Sequence, residues 1–445
     1  MPTRLEPAVS KATIVDALTE ARARTLLLVA PLSEADLLVQ HDPLMSPIIW
    51  DLGHIAHFED VWLVENVESG GSGSEGLSGV FNPFENPRAV RGGLKLPGLA
   101  DCLRVMNQVR LRALERLGGV DFESDAPLQR EGFVYHMVLQ HEYQHNETIL
   151  QTLQLKQGAP YPAPRAIPLP PARPLDSEAA CDDHGPMVRF PGGVIDQGTD
   201  DRAVAYDNER PLHPVRVRPF WIDQTAVTNA QYLAFIEAGG YERREWWTEA
   251  GWAWREQEGL VAPKYWVRDG TGWKTRFMDQ TVPVEPLEPV CHVCFYEADA
   301  FARFAGKRLP AETEWEAAAS WDPSTGEKRR YPWGDDPPTV RDANLDQLTF
   351  RPAPVGAYPR NVSPIGCYGM IGDVWEWTAS DFTGYPGFQS FPYREYSEVF
   401  FGSDYKVLRG GAWATRPGAI RNSFRNWDYP IRRQIFSGFR CARDA

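Results

Sequence analysis

The stretch GAPYPAPRAIPLPPARPL, residues 158–175, constrains the fold more than any other. Proline fixes φ and offers no amide hydrogen, so neither a helix interior nor a central strand can run through it. The chain changes character across it. On its N-terminal side apolar residues recur three and four apart in 12–30, 46–67, 99–118 and 131–156, which predicts four helices. Between the second and third, SGGSGSEGLSG (69–79) reads as a flexible loop, followed by NPFENPRAVRGGLKLP. Four long helices with one long crossover predict a four-helix bundle. On the C-terminal side, short strand-like pieces alternate with Gly, Pro, Asn and Asp turns, and Trp is abundant. GKRLPAETEWEAAAS (306–320) is the clearest helix there, with Pro310 near its start and Glu in its first turn. Such a region holds together by aromatic burial and by side-chain bonds to loop backbone. The chain of 445 residues is long enough for two domains. The expected class is α+β multidomain: a helical bundle over 1–157, a proline-rich linker over 158–184, and a second domain over 185–445.

A net charge of −14 disfavours nucleic acid, whose phosphates are met by clustered Lys and Arg. No apolar run approaches the roughly 20 residues that cross a bilayer. The N-terminal MPTRLEPAVSKATIVDALTEARART carries acidic residues and no uninterrupted apolar core, so it reads as the first amphipathic helix rather than a signal peptide. Cytoplasm is the expected location, with no obligatory protein partner. Six scattered cysteines argue against a disulfide framework. Cys291-His292-Val293-Cys294 has no second CxxC pair and sits in a strand-like stretch, PVCHVCFYEADAF, so a structural role is expected.

The histidines point to chemistry. In FVYHMVLQHEYQHNETILQTLQL (133–155), His141 and His145 are four apart and neighbours on one helical face. They continue the stripe Val134, Val138, Ile149, Leu153, where two imidazoles are costly unless something satisfies them. In SPIIWDLGHIAHFEDVWL, Ser46 is the expected N-cap with Pro47 at the first helical position. His54 then falls on the stripe with Trp50, Val61 and either Phe58 or His57. Three imidazoles on core-facing stripes predict one metal site between helices with open positions for other ligands; His57 is the reserve ligand. His136, His41 and His184 are expected to be structural. Imidazole suits both iron and zinc. His141-Glu142-Tyr143-Gln144-His145 also matches the HExxH of zinc peptidases, although no glycine-then-histidine follows at the larger signatures' spacing.

The second half carries a resemblance. YDNERPLHPVRVRPFWIDQTAVTNAQYLAFI, KRLPAETEWEAAA, YPWGDD, GMIGDVWEWTASDF, LRGGAW and SGFRCARD occur in order. Together they resemble the domain of the formylglycine-generating enzyme family, a variant of the C-type lectin fold. That family uses a cysteine pair shortly before its terminal motif. Here the region reads NSFRNWDYPIRRQIFSGFRCA, with Cys441 alone, which removes copper-thiolate chemistry. With the segments HDPLMSPIIWDLGHI and HEYQHNET, the chain resembles the ergothioneine-biosynthetic sulfoxide synthases, which fuse a DinB-like bundle to such a domain.

That resemblance implies an iron(II) centre on His54, His141 and His145. The reaction it implies uses dioxygen to join the sulfur of γ-glutamylcysteine to imidazole carbon 2 of hercynine (Nα,Nα,Nα-trimethylhistidine), as a sulfoxide. PYREYSEVFF resembles the segment bearing the catalytic tyrosine, here Tyr393, with Tyr396 as the alternative. NPRAVRGGLKLP resembles the loop that grips the thiol substrate, through Arg88 and Arg91. FRNWDYPIRRQ implies Asp428 and Arg432 toward the thiol substrate, and Asn426 and Trp427 toward hercynine, as does Gln144. The resemblance implies a site between the domains. Free cysteine is an alternative thiol donor, and the carboxylates of the second domain leave room for a structural calcium. Readings of other classes are a zinc hydrolase through HExxH and a non-catalytic lectin-like binding module.

Overall fold

The structure is a computed structural model and describes residues 10–66, 78–175, 180–182 and 185–445. His184 and most of the glycine-serine loop expected over 69–79 lie outside the described residues. The chain divides into two compact units. One runs to Ala163 and takes in Asp201–Val204; the other comprises Pro164–Asp200 and Ala205–Ala445.

The first unit is built on four long helices: α1 (Lys11–Val29), α2 (Ile48–Glu59), α3 (Leu99–Leu117) and α4 (Phe133–Gln154). α1 opens on a reciprocal cap, in which the Ser10 hydroxyl accepts the Thr13 amide at 3.1 Å and the Thr13 hydroxyl accepts the Ser10 amide at 3.2 Å. α3 buries Cys102, Met106, Val109, Ala113 and Leu117 along one face, the three-four spacing of an amphipathic helix. α4 is buried on most sides, with Val134, Tyr135, Val138, Ile149, Leu150 and Leu153 all in the core. α2 runs into a π-helical turn, Asp60–Glu65. Its start corrects the expected cap by one residue. Pro47 is the cap, with ψ 138°, and the helix begins at Ile48 without a side-chain cap bond. The Ser46 hydroxyl is engaged elsewhere, accepting from Arg91 Nη1 at 2.7 Å.

Each helix contributes one charge to a buried network. Arg22 (α1) donates to Glu59 (α2) at 2.7 Å and to Glu142 (α4) at 2.9 Å, and Arg110 (α3) donates to both carboxylates, reaching Glu142 at 3.1 Å. Thr25 donates to Glu142 at 2.7 Å and accepts from Asn146 at 2.7 Å. Every charge in this core has partners, the condition under which buried ions are tolerated. Sliding any one helix breaks bonds to two others.

The second unit holds two four-stranded sheets. In the first, β1 (Ala180–Asp182), β2 (Gly185–Phe190), β3 (Phe220–Asp223) and β8 (Ala442–Asp444) lie in that order, all antiparallel. In the second the order is β6 (Asn426–Asp428), β5 (Gly402–Arg409), β4 (Trp375–Phe382) and β7 (Ser437–Gly438), antiparallel except β4 with β7. The helices here are short, including α5 (Asn229–Glu237), α6 (Glu249–Glu258), α7 (Phe295–Phe304) and α8 (Glu312–Ser320). Trp315 and Ala317–Ala319 of α8 pack with Val188, Phe190, Phe220 and Ile222 of the first sheet. Side chains tie the loops: Arg440 clamps Glu376 at 2.7 and 2.8 Å and reaches the carbonyls of Asp223 and Tyr368 at 3.1 Å. The proline-rich stretch has no helix or strand. Its later part is fastened to the second unit by Ala166 N to Leu348 O at 2.9 Å and Arg165 to Asp279 at 2.7 Å.

The strand-like reading of Cys291–Cys294 is corrected. His292 has φ 66°, which no strand allows, and the Cys294 amide donates to Glu297 at 2.9 Å to open α7. The apolar alternation there reflects burial, with Cys291, Val293 and Cys294 all inside. Burial pushes both thiols well above the usual range.

Candidate metal centre

α2 brings His54 opposite His141 and His145 on successive turns of α4. One nitrogen from each ring can be chosen so that all three lie within 4.8 Å of one another. Among the described residues this is the only group of three or more His, Cys, Asp or Glu side chains placed to share an ion. Among the described residues no cluster of three or more carboxylates is placed to hold a calcium. Ring centroids are 5.0 Å apart for His54 and His141, 4.9 Å for His54 and His145, and 4.5 Å for His141 and His145. His57, the reserve ligand, stands 6.4 Å from His54 and outside the set.

Each ring is held by a neighbour. His54 Nδ1 bonds Phe81 O at 2.8 Å, and His145 Nδ1 bonds Asp51 Oδ1 at 3.0 Å. An Nδ1–H donated to an oxygen leaves Nε2 as the lone-pair donor. Trp50 stacks on His54 at 4.8 Å, and Phe58 stacks on His141 at 3.7 Å with 11° between planes. Burial first, then the neighbouring imidazoles, push the pKa of His54 and His141 well below the ordinary histidine value. These imidazoles are neutral at physiological pH, the state a metal requires. The residues present therefore fit a transition-metal ion with nitrogen ligands.

Glu142, the glutamate of HExxH, is not turned to this point. Burial acts to raise its carboxyl, but Arg22 and Arg110 hold it below the usual range. Fixed in the four-helix network, it is unsuited to activate a metal-bound water.

The other expected site residues divide between the units. In the first, Gln144 is half-buried on α4 and Arg88 is exposed. Arg91 is buried, donates from Nε to Asn86 O at 2.8 Å and from Nη1 to Ser46, and lies 3.4 Å over the Trp50 ring. Burial lowers its pKa to about 10, against the pull of Asp51. His41 is structural: Nε2 bonds Asp36 O at 2.9 Å and Nδ1 accepts from Gln157 N at 3.2 Å. His136 is half-buried and outside the triad.

In the second unit, Asn426, Trp427 and Asp428 form β6. Phe382 covers one face of Trp427 at 4.1 Å, and Tyr396 meets its ring edgewise at 5.9 Å. Arg432 donates to Asp428 at 3.1 Å, while its buried Nη1 lacks a hydrogen-bond partner. Tyr393 stands 6.2 Å from Tyr396, ring to ring. Burial, with Tyr206, Asp207 and Glu395 adding to it, raises its phenol well above 10.

Sequence reasoning placed Trp50, with Phe58 or His57, on the His54 stripe, but missed Asp51 and the Phe81 carbonyl. Asp51 was findable, since it sits three residues before His54 on one helix face. The Phe81 carbonyl was not, because a main-chain acceptor from a distant segment leaves no residue-type signal.

A helical bundle that converges three imidazoles, joined in one chain to a tryptophan-rich α+β domain, defines a class of two-part protein with a candidate metal centre. Residues 17–149 match the DinB superfamily, and residues 174–445 match the sulfatase-modifying factor enzyme 1-like domain. The hercynine oxygenase of Mycolicibacterium thermoresistibile is 46% identical over 442 residues, covering 98% of this chain and 95% of that one. That of Mycobacterium tuberculosis is 46% identical over 431 residues, 96% of this chain and 97% of that one. The formylglycine-generating enzyme of Streptomyces coelicolor is 33% identical over 337 residues, 65% of this chain and 96% of that one. The chain belongs to the hercynine oxygenase family and is an oxidoreductase of the oxygenase type. Among the described residues no helix is long and apolar enough to cross a membrane.

Proposed function

We propose that the chain is an iron(II)- and dioxygen-dependent sulfoxide synthase of ergothioneine biosynthesis. It joins the sulfur of γ-glutamylcysteine to imidazole carbon 2 of hercynine. The reaction balances as one C–H and one S–H exchanged for a C–S bond and an S–O bond, with the second oxygen atom leaving as water. The observation that carries this reading is the set of three converging imidazoles, in a chain so similar throughout to hercynine oxygenases.

His54, His141 and His145 would hold the iron. When bound, it would offer open coordination positions, pass electrons from the substrates to dioxygen and favour the thiolate form of the sulfur substrate. Tyr393, whose raised pKa keeps the phenol protonated at neutral pH, is the proton or hydrogen-atom donor. Arg88, Arg91, Asp428 and Arg432 are assigned to the thiol substrate. For Arg91, Nη2 is the available edge, since Nε and Nη1 are already engaged. Buried Arg432 Nη1 suits a carboxylate, and Asp428 suits the substrate ammonium. Gln144, Asn426 and Trp427 are assigned to hercynine, with the trimethylammonium group on the Trp427 face that Phe382 leaves open. Free cysteine is the alternative donor. Cys102, Cys291, Cys294, Cys367 and Cys441 are buried free thiols, which suits the reducing cytoplasm where we place the enzyme.

The test is to load anaerobic protein with iron(II), add hercynine with either thiol, admit oxygen, and identify products by mass. A sulfoxide with γ-glutamylcysteine in preference to cysteine is expected. No oxygen-dependent adduct with either donor would overturn the reading. Tyr393→Phe should keep metal binding and impair sulfoxide formation; undiminished synthesis would refute its role.

A further inference from the structure

The segment that carries Tyr393 has little regular structure of its own. Within Phe391–Ser397 the backbone closes on itself through Tyr396 N to Tyr393 O at 3.5 Å, at the limit of hydrogen-bond reach. Both ends of the segment converge instead on one carboxylate. The Phe391 amide donates to Asp207 Oδ2 at 3.1 Å, and the Ser397 hydroxyl donates to Asp207 Oδ1 at 2.6 Å. Asp207 is fully buried, a costly place for a carboxylate unless its bonds are needed.

The carboxylate stands on fixed ground. Asp207–Glu209 is a short 3-10 turn. Glu209 receives Tyr206 N at 2.9 Å, Arg421 Nε at 2.8 Å and Ser423 Oγ at 2.8 Å. The carbonyl of Asn208 accepts Arg425 Nη1 at 2.7 Å, and Arg425 itself clamps Glu312 of α8 at 2.6 and 2.9 Å. The neighbouring Tyr206 ring stacks on Tyr396 at 4.1 Å with 17° between planes. The loop thus hangs from a turn that is riveted to the core of the second unit.

We infer that Asp207 is a positioning residue for Tyr393, fixing the 391–397 loop by bridging the Phe391 amide and the Ser397 hydroxyl. The inference rests on the assignment of Tyr393 as the proton or hydrogen-atom donor. An unrestrained seven-residue loop samples positions well over 1 Å apart, and such misplacement costs on the order of a hundredfold in rate. Asparagine at 207 keeps the volume but weakens the bridge: one oxygen is left for the Phe391 amide, and Ser397 stays bonded only by turning its hydroxyl to accept from the amide nitrogen.

The test has two arms on the full-length chain. In the first, metal-free protein is labelled with 3-fluorotyrosine, and the fluorine resonance absent from Tyr393→Phe is assigned to Tyr393. Asp207→Asn and Ser397→Ala should shift or broaden that resonance, and Ser397→Thr, which keeps the hydroxyl, should restore it. In the second arm, iron-loaded Asp207→Asn should lose on the order of ten- to a hundredfold in kcat for sulfoxide formation, with KM for both substrates little changed. In a Tyr393→Phe background, Asp207→Asn should slow the reaction no further. An unmoved resonance, or an undiminished effect of Asp207→Asn in that background, would overturn the inference. A fully active Tyr393→Phe would instead refute the role of the tyrosine, and the fluorine arm would still decide the tether.

Discussion

Gly53→Ala tests the clamp on His54. In a helix interior this substitution ordinarily stabilises by about 0.5–1 kcal/mol, because glycine has more backbone freedom to lose. Here a Cβ would stand 2.2 Å from two carbons of the Phe81 ring and 2.6 Å from a third. Phe81 is 2% exposed and has little space to retreat into. Forcing extra volume into such packing costs about 1–3 kcal/mol. The clash wins, and a net destabilisation of roughly 1–2 kcal/mol is expected. Displacing Phe81 also pulls its carbonyl from His54 Nδ1, now 2.8 Å away. Loss of a partner behind a metal ligand typically costs ten- to a hundredfold in affinity. The assay is anaerobic iron(II) competition against a chromogenic chelator, beside thermal unfolding of the metal-free protein. The variant should melt earlier and bind iron about tenfold more weakly. A variant with parental affinity and a higher Tm would show that the ring yields freely and that the clamp does not orient His54.

Three further outcomes follow from the same structure. Asp51→Ala removes the acceptor of His145 Nδ1 and should weaken metal binding by about ten- to a hundredfold in the same competition; parental affinity would refute it. Glu142→Gln leaves Arg22 and Arg110 with Glu59 alone of their two carboxylates, one buried charge unbalanced, and should destabilise by about 3–5 kcal/mol, read from the urea midpoint of the metal-free protein; an unchanged midpoint would refute the network's structural role. His292 is buried, and burial lowers its pKa to about 3. The unfolded chain therefore binds the extra proton below the ordinary histidine value of about 6.5, and stability is lost as pH falls from there toward 3. The expected slope is up to about 1.4 kcal/mol per pH unit. His292→Asn, which tolerates φ 66°, should be less acid-sensitive than the parent by that slope; parallel stability–pH curves would refute it.

The bundle was legible because helical periodicity survives in sequence. The same periodicity exposed His54, His141 and His145, as polar side chains on stripes that should be apolar. What it concealed was a second buried face of α4. There Glu142 meets Arg22, Thr25 and Arg110, and Asn146 meets Thr25, partners that come from two other helices. Cys291–Cys294 was misread because burial on both sides of a loop mimics the composition of a strand. The Asp207 tether had no local signature at all, since its two donors lie about 190 residues further along. In the second unit only the ordered motifs carried information, as short elements bonded through side chains leave no period to read.

Several charges of the bundle core meet opposites. Arg22 and Arg110 offset Glu59 and Glu142, Arg91 faces Asp51, and the two most buried imidazoles are neutral. The buried charges do not sum to zero, however: among the described residues Asp51, Glu59, Asp60, Glu142 and Glu147 stand against Arg22, Arg91 and Arg110. An interior with more carboxylates than guanidinium groups favours a cation, so a divalent ion seated there would offset charge that the helices leave unbalanced. Part of the hold on such an ion would in this way come from carboxylates that touch neither metal nor substrate.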